Sequence, residues 1–166
     1  MMLEIKKVNN DQLDELLVFL TEIAVWLIQT KKSMWSLDKL EKESFKQSHY
    51  NSDCYLAYIN GEAVSSIILS ESDNALWPNI KQNETIFISK LGVSRKHSGK
   101  GISKFMLDFA YEEAKRKNKK YLRLDCYADR DYLCELYENY GFRLVKKREM
   151  HSDISAALFE FKIEYS

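Results

Sequence analysis

Proline is almost missing from this chain of 166 residues: Pro78, in Asp-Asn-Ala-Leu-Trp-Pro-Asn, is the single one, and it marks a loop. Internal repeats and low-complexity linkers are absent too, so nothing divides the chain and one domain over residues 1–166 is expected. Net charge is absent: 25 Lys and Arg balance 25 Asp and Glu. No global field exists to draw nucleic acid or an anionic membrane, and neither is expected as a partner. Cysteines are few and odd in number (Cys54, Cys126 and Cys134), with no C-x-x-C or His-containing metal spacing. They read as reduced thiols, two of them inside apolar strand-like runs, and no metal is expected. The most apolar stretch, Leu13 to Ile28, is broken by Asp14, Glu15 and Glu22, charges that are costly in a bilayer. No small-residue cleavage site follows it, and a cytoplasmic protein is expected.

What is present is an ordinary globular composition, 45% hydrophobic and 30% charged. Leu13, Leu16, Leu17, Leu20, Ile23, Ala24, Leu27 and Ile28 recur at helical spacing from Asp11 to about Lys32, with Asn9 or Asp11 available as a cap. A more polar helix is expected from Ser36 or Leu37 to Phe45 or Lys46. The period then shortens: Cys54 to Ile59 and Ala63 to Leu69 flank Asn60-Gly61, the signature of a hairpin. Glu84 to Val93 alternates, with Ile86 and Ile88 on one face and Phe87, Ser89, Leu91 and Val93 on the other. After a polar turn, Ile102, Phe105, Met106, Phe109, Ala110 and Ala114 form a helical stripe to about Asn118. There follow a strand from Tyr121 to Cys126, a helix with Leu133, Leu136, Tyr137 and Tyr140, and strands at Phe142 to Lys147 and Leu158 to Ile163. A short strand, Glu4 to Val8, precedes everything. Hairpins mixed with a strand-helix-strand crossover predict an α+β fold: a mixed sheet with helices on both faces.

Between the alternating strand and the third helix stands Ser98-Gly99-Lys100-Gly101-Ile102-Ser103. Backbone N–H groups converge on an anion at such a helix start, and glycines let the main chain approach it closely. Eleven Lys or Arg face four acids between Lys81 and Lys120, and Arg95, Lys96, Lys100 and Lys104 surround this loop. On spacing alone the loop reads equally as a phosphate site or as a solvated turn. It is not a P-loop, since G-x-x-x-x-G-K-[ST] is absent, and it lacks the third glycine and the distal acid of a dinucleotide fingerprint.

The run Lys90-Leu91-Gly92-Val93-Ser94-Arg95-Lys96-His97-Ser98-Gly99-Lys100-Gly101-Ile102-Ser103 resembles the acetyl-CoA-binding motif of the GNAT superfamily of N-acyltransferases. Leu124-Asp125-Cys126-Tyr127-Ala128, followed by Leu136-Tyr137-Glu138-Asn139-Tyr140-Gly141-Phe142, resembles that family's second donor-binding region at the expected distance. The likeness covers roughly residues 54 to 148 and implies a largely antiparallel mixed sheet with one splayed parallel strand pair. It implies that main-chain groups of Leu91 and Val93 bond the pantetheine of acetyl-CoA, and that amides of Ser98, Gly99, Lys100, Gly101, Ile102 and Ser103 surround its pyrophosphate. Ser98 departs from the family's Arg or Gln, and Ser103 from its Gly or Ala, so the load falls on main-chain amides.

The resemblance implies direct attack of an amine on the thioester, with no covalent enzyme intermediate, so Cys126 and Cys134 are not nucleophiles. Tyr137 matches the tyrosine that protonates the departing thiolate; the bland reading makes it one more core aromatic. Arg130 stands where the family often has Asn. Glu84 is the candidate base, with a water relay or an amine arriving neutral as alternatives. His97 is expected to face solvent, and His49 and His151 have no motif around them. The acceptor site is expected from the two N-terminal helices, the Asn74 to Lys81 loop and the segment Met150 to Ala157, with Trp26, Trp35 and Trp77 as candidate lining. The function implied is an N-acetyltransferase acting on a primary amine of a small molecule or peptide; homodimers are frequent in the family. The competing readings are a non-catalytic acyl-CoA sensor or assembly module and, for the basic stretch Lys115 to Lys120, nucleic-acid binding.

Overall fold

A computed structural model describes residues 2–71, 75–77, 79–151 and 153–165, with His151 by its backbone alone. Asn74 and Pro78 of the expected loop, and Ser152 of the expected acceptor segment, lie outside the described residues. The chain forms two compact units, residues 1–69 with 90–106 and residues 70–89 with 107–166.

In the first unit, β1 (Glu4–Lys7) leads through a turn of 3-10 helix, Asn10–Gln12, into α1 (Leu13–Gln29). The Asn9 amide donates to Gln12 Oε1 at 3.1 Å, so the entry is capped at Asn9. Lys31 takes a left-handed φ of 61° and the Lys32 amide donates to the Leu27 carbonyl at 2.7 Å, which closes the helix short of Lys32. Leu13, Leu16, Leu17, Leu20, Ala24 and Leu27 form its buried stripe.

The single helix expected over 36–46 is instead a 3-10 turn, Leu37–Leu40, followed by α2 (Lys42–His49). Glu41 causes the break: its backbone is extended (φ −69°, ψ 140°) and its carboxylate accepts from the amides of Glu43 and Ser44 at 3.2 and 3.3 Å.

Strands β2 (Ser52–Ile59) and β3 (Glu62–Ser70) form the predicted hairpin. Asn60 and Gly61 both adopt positive φ, 51° and 80°, as a two-residue turn with matching twist requires. β1 pairs antiparallel with β2, Glu4 opposite Tyr58 through Lys7 opposite Tyr55. With the end of β4 (Thr85–Val93) the strand order here is β1-β2-β3-β4. The α1 stripe closes over Leu56 and Ile68 with Leu40 and Phe45, burying ten apolar side chains in one cluster.

In the second unit the order is β4-β5-β7-β6, with β5 at Tyr121–Tyr127, β6 at Arg143–His151 and β7 at Ile154–Lys162. β4 and β5 are parallel, registered at Thr85–Tyr121, Ile86–Leu122 and Phe87–Arg123. β7 pairs antiparallel with β5 along the whole length of β5, Tyr121–Lys162 through Tyr127–Ala156. Helix α3 (Ile102–Arg116) precedes β5, and α4 (Asp131–Tyr140) follows it. Gly141, at φ 125°, ends α4 where a Cβ would come within 2.8 Å of the Phe161 ring. The architecture is therefore a mixed, mostly antiparallel seven-stranded sheet with one parallel pair and four α-helices.

Of the segment expected to contribute to the acceptor site, Met150 and His151 end β6 and Ile154 to Ala157 begin β7, paired from Arg148–Ala156 to His151–Ile154. The basic run 115–120, for which nucleic-acid binding is the competing reading, is paired within the fold. Arg116 pairs with Glu113, Lys117 and Lys119 with Glu71, Lys120 with Glu84, and Lys115 lies over the Tyr111 ring. Among the described residues no helix is long and apolar enough to cross a membrane, and no group of three or more His, Cys, Asp or Glu is placed to hold a metal ion.

Candidate functional site

The alternation predicted for β4 does not run through to Val93, because Lys90 sits in the left-handed region at φ 51°. It is the sole non-glycine residue inside a strand to do so among the described residues. Such a residue rotates the chain locally and persists only where neighbours hold it. Two buried hydroxyls do: Ser66 donates to the Lys90 carbonyl at 2.8 Å and Ser65 to the Gly92 carbonyl at 2.7 Å. Gly92 is hemmed in, since a Cβ there would lie 3.0 Å from Ile23, 3.1 Å from Trp35 and 3.3 Å from the Ser66 hydroxyl. The register with β5 ends at Phe87, whereas β4 continues to Val93; Leu91 and Val93 lie on that extension.

Beyond Val93 the Ser94 amide donates to the Val64 carbonyl at 2.8 Å, and Arg95–His97 make one 3-10 turn. His97 does not face solvent. It is buried, with Nδ1 2.7 Å from the Ser94 hydroxyl, so it braces the turn from inside. Ser98 is extended, and Gly99 and Gly101 then take φ 79° and 78°. No atom lies within 4 Å of a Cβ built at either glycine, so backbone conformation and not space selects them. α3 starts at Ile102, and first-turn amides such as those of Ile102 and Ser103 have no carbonyl four residues back to bond. Two left-handed glycines thus stand directly before the N-terminus of α3, an arrangement in which successive backbone N–H groups can face an anion.

The cations around it are divided by role. Arg95 stacks on Trp26, 4.8 Å from the ring centroid, and Lys96 pairs with Glu62 at 3.3 Å. Lys100, between the glycines, is exposed and makes no ion pair among the described residues.

In the second unit, Tyr137 is buried on α4, edge-on to Phe142 at 5.8 Å and tilted against Phe159 at 5.9 Å. Burial first, then the neighbouring Cys126 and Asp125, pushes its phenol well above the ordinary value, so it carries its proton throughout the neutral range. Cys126 and Cys134 are free thiols with Sγ atoms 3.9 Å apart, and burial raises the Cys126 thiol strongly. Such a thiol is a poor nucleophile at neutral pH. Arg130 precedes α4, pairs with Asp129 at 2.7 Å and stacks on Tyr127 at 5.2 Å.

Glu84 lies just before β4, at the end opposite Val93. Its carboxylate pairs with Lys120 at 3.2 Å, and its carbonyl accepts from the Lys120 and Tyr121 amides. Of the three tryptophans, Trp77 is core, packed with Phe87, Ala156 and Leu158 and stacked by the buried Arg123 at 5.3 Å. Trp26 carries Arg95, and Trp35 lies beneath the Lys90 ammonium at 5.7 Å. Ser65, Ser66 and Lys90 have no sequence signal that singles them out: two serines in an apolar strand and a lysine in an alternating one are unremarkable until the backbone is seen.

A sequence model of the Acetyltransferase (GNAT) family matches residues 20–142. An uncharacterized N-acetyltransferase of Bacillus subtilis (strain 168), YesJ, is 34% identical over 76 residues, 46% of this chain and 42% of that protein. The match thus spans less than half the length of that relative. A GNAT-family acetyltransferase from Listeria monocytogenes superposes with a TM-score of 0.78 at 18% identity, over 96% of this chain and 94% of that one. A GNAT-family acetyltransferase from Elizabethkingia anophelis, solved with acetyl-CoA bound, gives 0.66 at 19% identity over 96% and 97%. At these identities the superpositions speak for the fold.

Proposed function

The chain belongs to the acetyltransferase (GNAT) family, and from that premise we propose that it moves the acetyl group of acetyl-CoA to a primary amine of a small molecule or peptide by direct attack. The observation that carries this reading is the pair of left-handed glycines, Gly99 and Gly101, opening α3 directly after β4. In this reading the amides of Ser98 through Ser103 take the pyrophosphate, Lys100 adds charge, and main-chain groups of Leu91 and Val93 take the pantetheine. The donor supplies an activated thioester. The amine nitrogen bonds to the acetyl carbon, the C–S bond breaks, and the sulfur takes a proton while the nitrogen gives one up.

Tyr137 is assigned the proton given to sulfur. Its support is a phenol held protonated by burial. Glu84, whose carboxylate pairs with Lys120, is assigned the proton taken from nitrogen. A water relay, or an amine delivered neutral, performs the same step without it. We read residues 1–166 as one acetyltransferase domain acting in the cytoplasm on an amine-bearing acceptor, with no nucleic acid or membrane partner and homodimerisation open to it.

The test is thiol release from acetyl-CoA across a broad panel of amines, beside calorimetric titration with CoA. Turnover with any amine is the expected result. CoA binding with no turnover on any amine replaces this reading with a non-catalytic acyl-CoA sensor, the role to which Ser98 and Arg130, where the family's usual residues differ, would be suited.

A further inference from the structure

We propose that Lys90 selects the acceptor, and that the amine acetylated by this protein carries an anionic oxygen group, carboxylate or phosphate, which the Lys90 ammonium reads. This rests on the acetyl-transfer reading above. The direction of the donor along β4 then follows from the order of its contacts. With the pyrophosphate at Ser98–Ser103 and the pantetheine passing Val93 and then Leu91, the reactive end arrives beside the next residue back, Lys90.

That residue is unusual on three counts. It holds a left-handed backbone, φ 51°, at a place in a strand where lysine has no preference for it. The conformation is fastened by the Ser66 and Ser65 hydroxyls, both on fully buried residues, so the fold spends two internal hydrogen bonds on it. The side chain is delivered to a built surface: its ammonium stands 5.7 Å from the Trp35 ring centroid, and Trp35 in turn lies against Gly92. His49 is near enough to feel the same charge; burial first and Lys90 second hold its imidazole neutral, at about 4.

The surface therefore joins one cation and one flat ring. A half-buried ammonium attracts an oxyanion and repels a second cation more strongly than it would in water. An acceptor bearing only positive charge is disfavoured there, and one whose amine has an anionic neighbour is favoured.

The test compares matched acceptors: phenylalanine with phenethylamine, and O-phosphoethanolamine with ethanolamine, in the wild type, Lys90→Met, Lys90→Arg and Lys90→Glu. The wild type is expected to favour the anionic member of a pair by about ten-fold in kcat/KM, the value of one charged hydrogen bond. Lys90→Met should raise KM for that member about ten-fold and lower it for the partner that carries only the ammonium charge, so that the preference collapses, Lys90→Arg should retain the preference, and Lys90→Glu should reverse it. The two pairs separate carboxylate from phosphate. Equal use of both members by the wild type, equal losses on both in Lys90→Met, or no turnover and no calorimetric binding of any anionic member overturns the proposal. CoA titration of the wild type reports separately on the donor reading.

Discussion

The Ser66 hydroxyl donates to the Lys90 carbonyl at 2.8 Å, tying the fully buried middle of β3 to the one left-handed residue in β4. Removing that hydroxyl leaves a carbonyl without its partner and a strained residue without its brace. Ser66→Ala should lower the unfolding free energy by about 1–3 kcal/mol, read as a shift of the urea midpoint. A midpoint unchanged from the wild type would mean that the backbone holds Lys90 unaided.

Gly101 is in the left-handed region with open space around its Cβ position. Gly101→Ala should therefore meet no clash but carry about 1–2 kcal/mol of backbone strain. The strain falls on the loop assigned to the pyrophosphate, so CoA affinity should drop about ten-fold or more by calorimetry. Wild-type affinity in this variant would remove the loop from the donor site.

Tyr137→Phe should keep CoA affinity and lose most turnover, by about ten-fold or more if the phenol is a general acid. The raised phenol adds a pH signature. Because its proton is held more tightly than in free tyrosine, turnover should show no decline assignable to loss of that proton up to about pH 10. An unchanged rate in the variant removes the general-acid assignment and leaves the family membership intact.

His49 should make stability depend on acidity. Its folded value is depressed from 6.5 to about 4 by burial and, next, by Lys90. The unfolded chain binds this proton first as pH falls, so the contribution is fully present above about pH 6.5 and is lost between there and about pH 4. Urea midpoints between neutral pH and pH 4.5 should fall, and His49→Gln should flatten the fall. The same slope in both proteins would assign the acid sensitivity to the carboxylates.

In the second unit, Arg123 is buried with Glu160, whose carboxylate accepts from Nε at 3.0 Å and Nη2 at 2.9 Å, while Nη1 reaches the Thr85 hydroxyl. Glu160→Ala strands that guanidinium and should cost about 3–5 kcal/mol. The double change Arg123→Met with Glu160→Leu should recover much of the loss. A double variant less stable than Glu160→Ala would show that the pair stabilises more than it costs to desolvate.

Much of this molecule was legible in the sequence wherever a local rule decided the outcome. Asn60-Gly61 specified a turn with two positive φ angles, and the Leu13–Leu27 spacing specified a helix with one buried side. The Gly99 and Gly101 positions were readable because only glycine takes such backbones cheaply. Elsewhere the deciding contact was distant or ambiguous. Glu41 looks like a helix-interior residue until its carboxylate turns back on its own amides. His97 looks solvated until Ser94 is found against its ring. Lys90 carries no mark of a left-handed residue, because the serines that hold it are 24 and more positions away. The end of β6 and the start of β7 are hidden because polar and apolar residues mix there and the register of β6 against β7 shifts twice.

Gly92 leaves the main chain of β4 bare, so the edge of the Trp35 ring comes within 3.1 Å of the point where a Cβ would stand. A ring seated in this way, with an ammonium over it, is an optical gauge built into the strand. Any movement of β4 near Leu91, or any anion drawn to Lys90, changes the field across the indole and hence its emission. Filling of the site can therefore be followed by intrinsic fluorescence, with Trp35→Phe as the blank that identifies which of the three tryptophans is reporting.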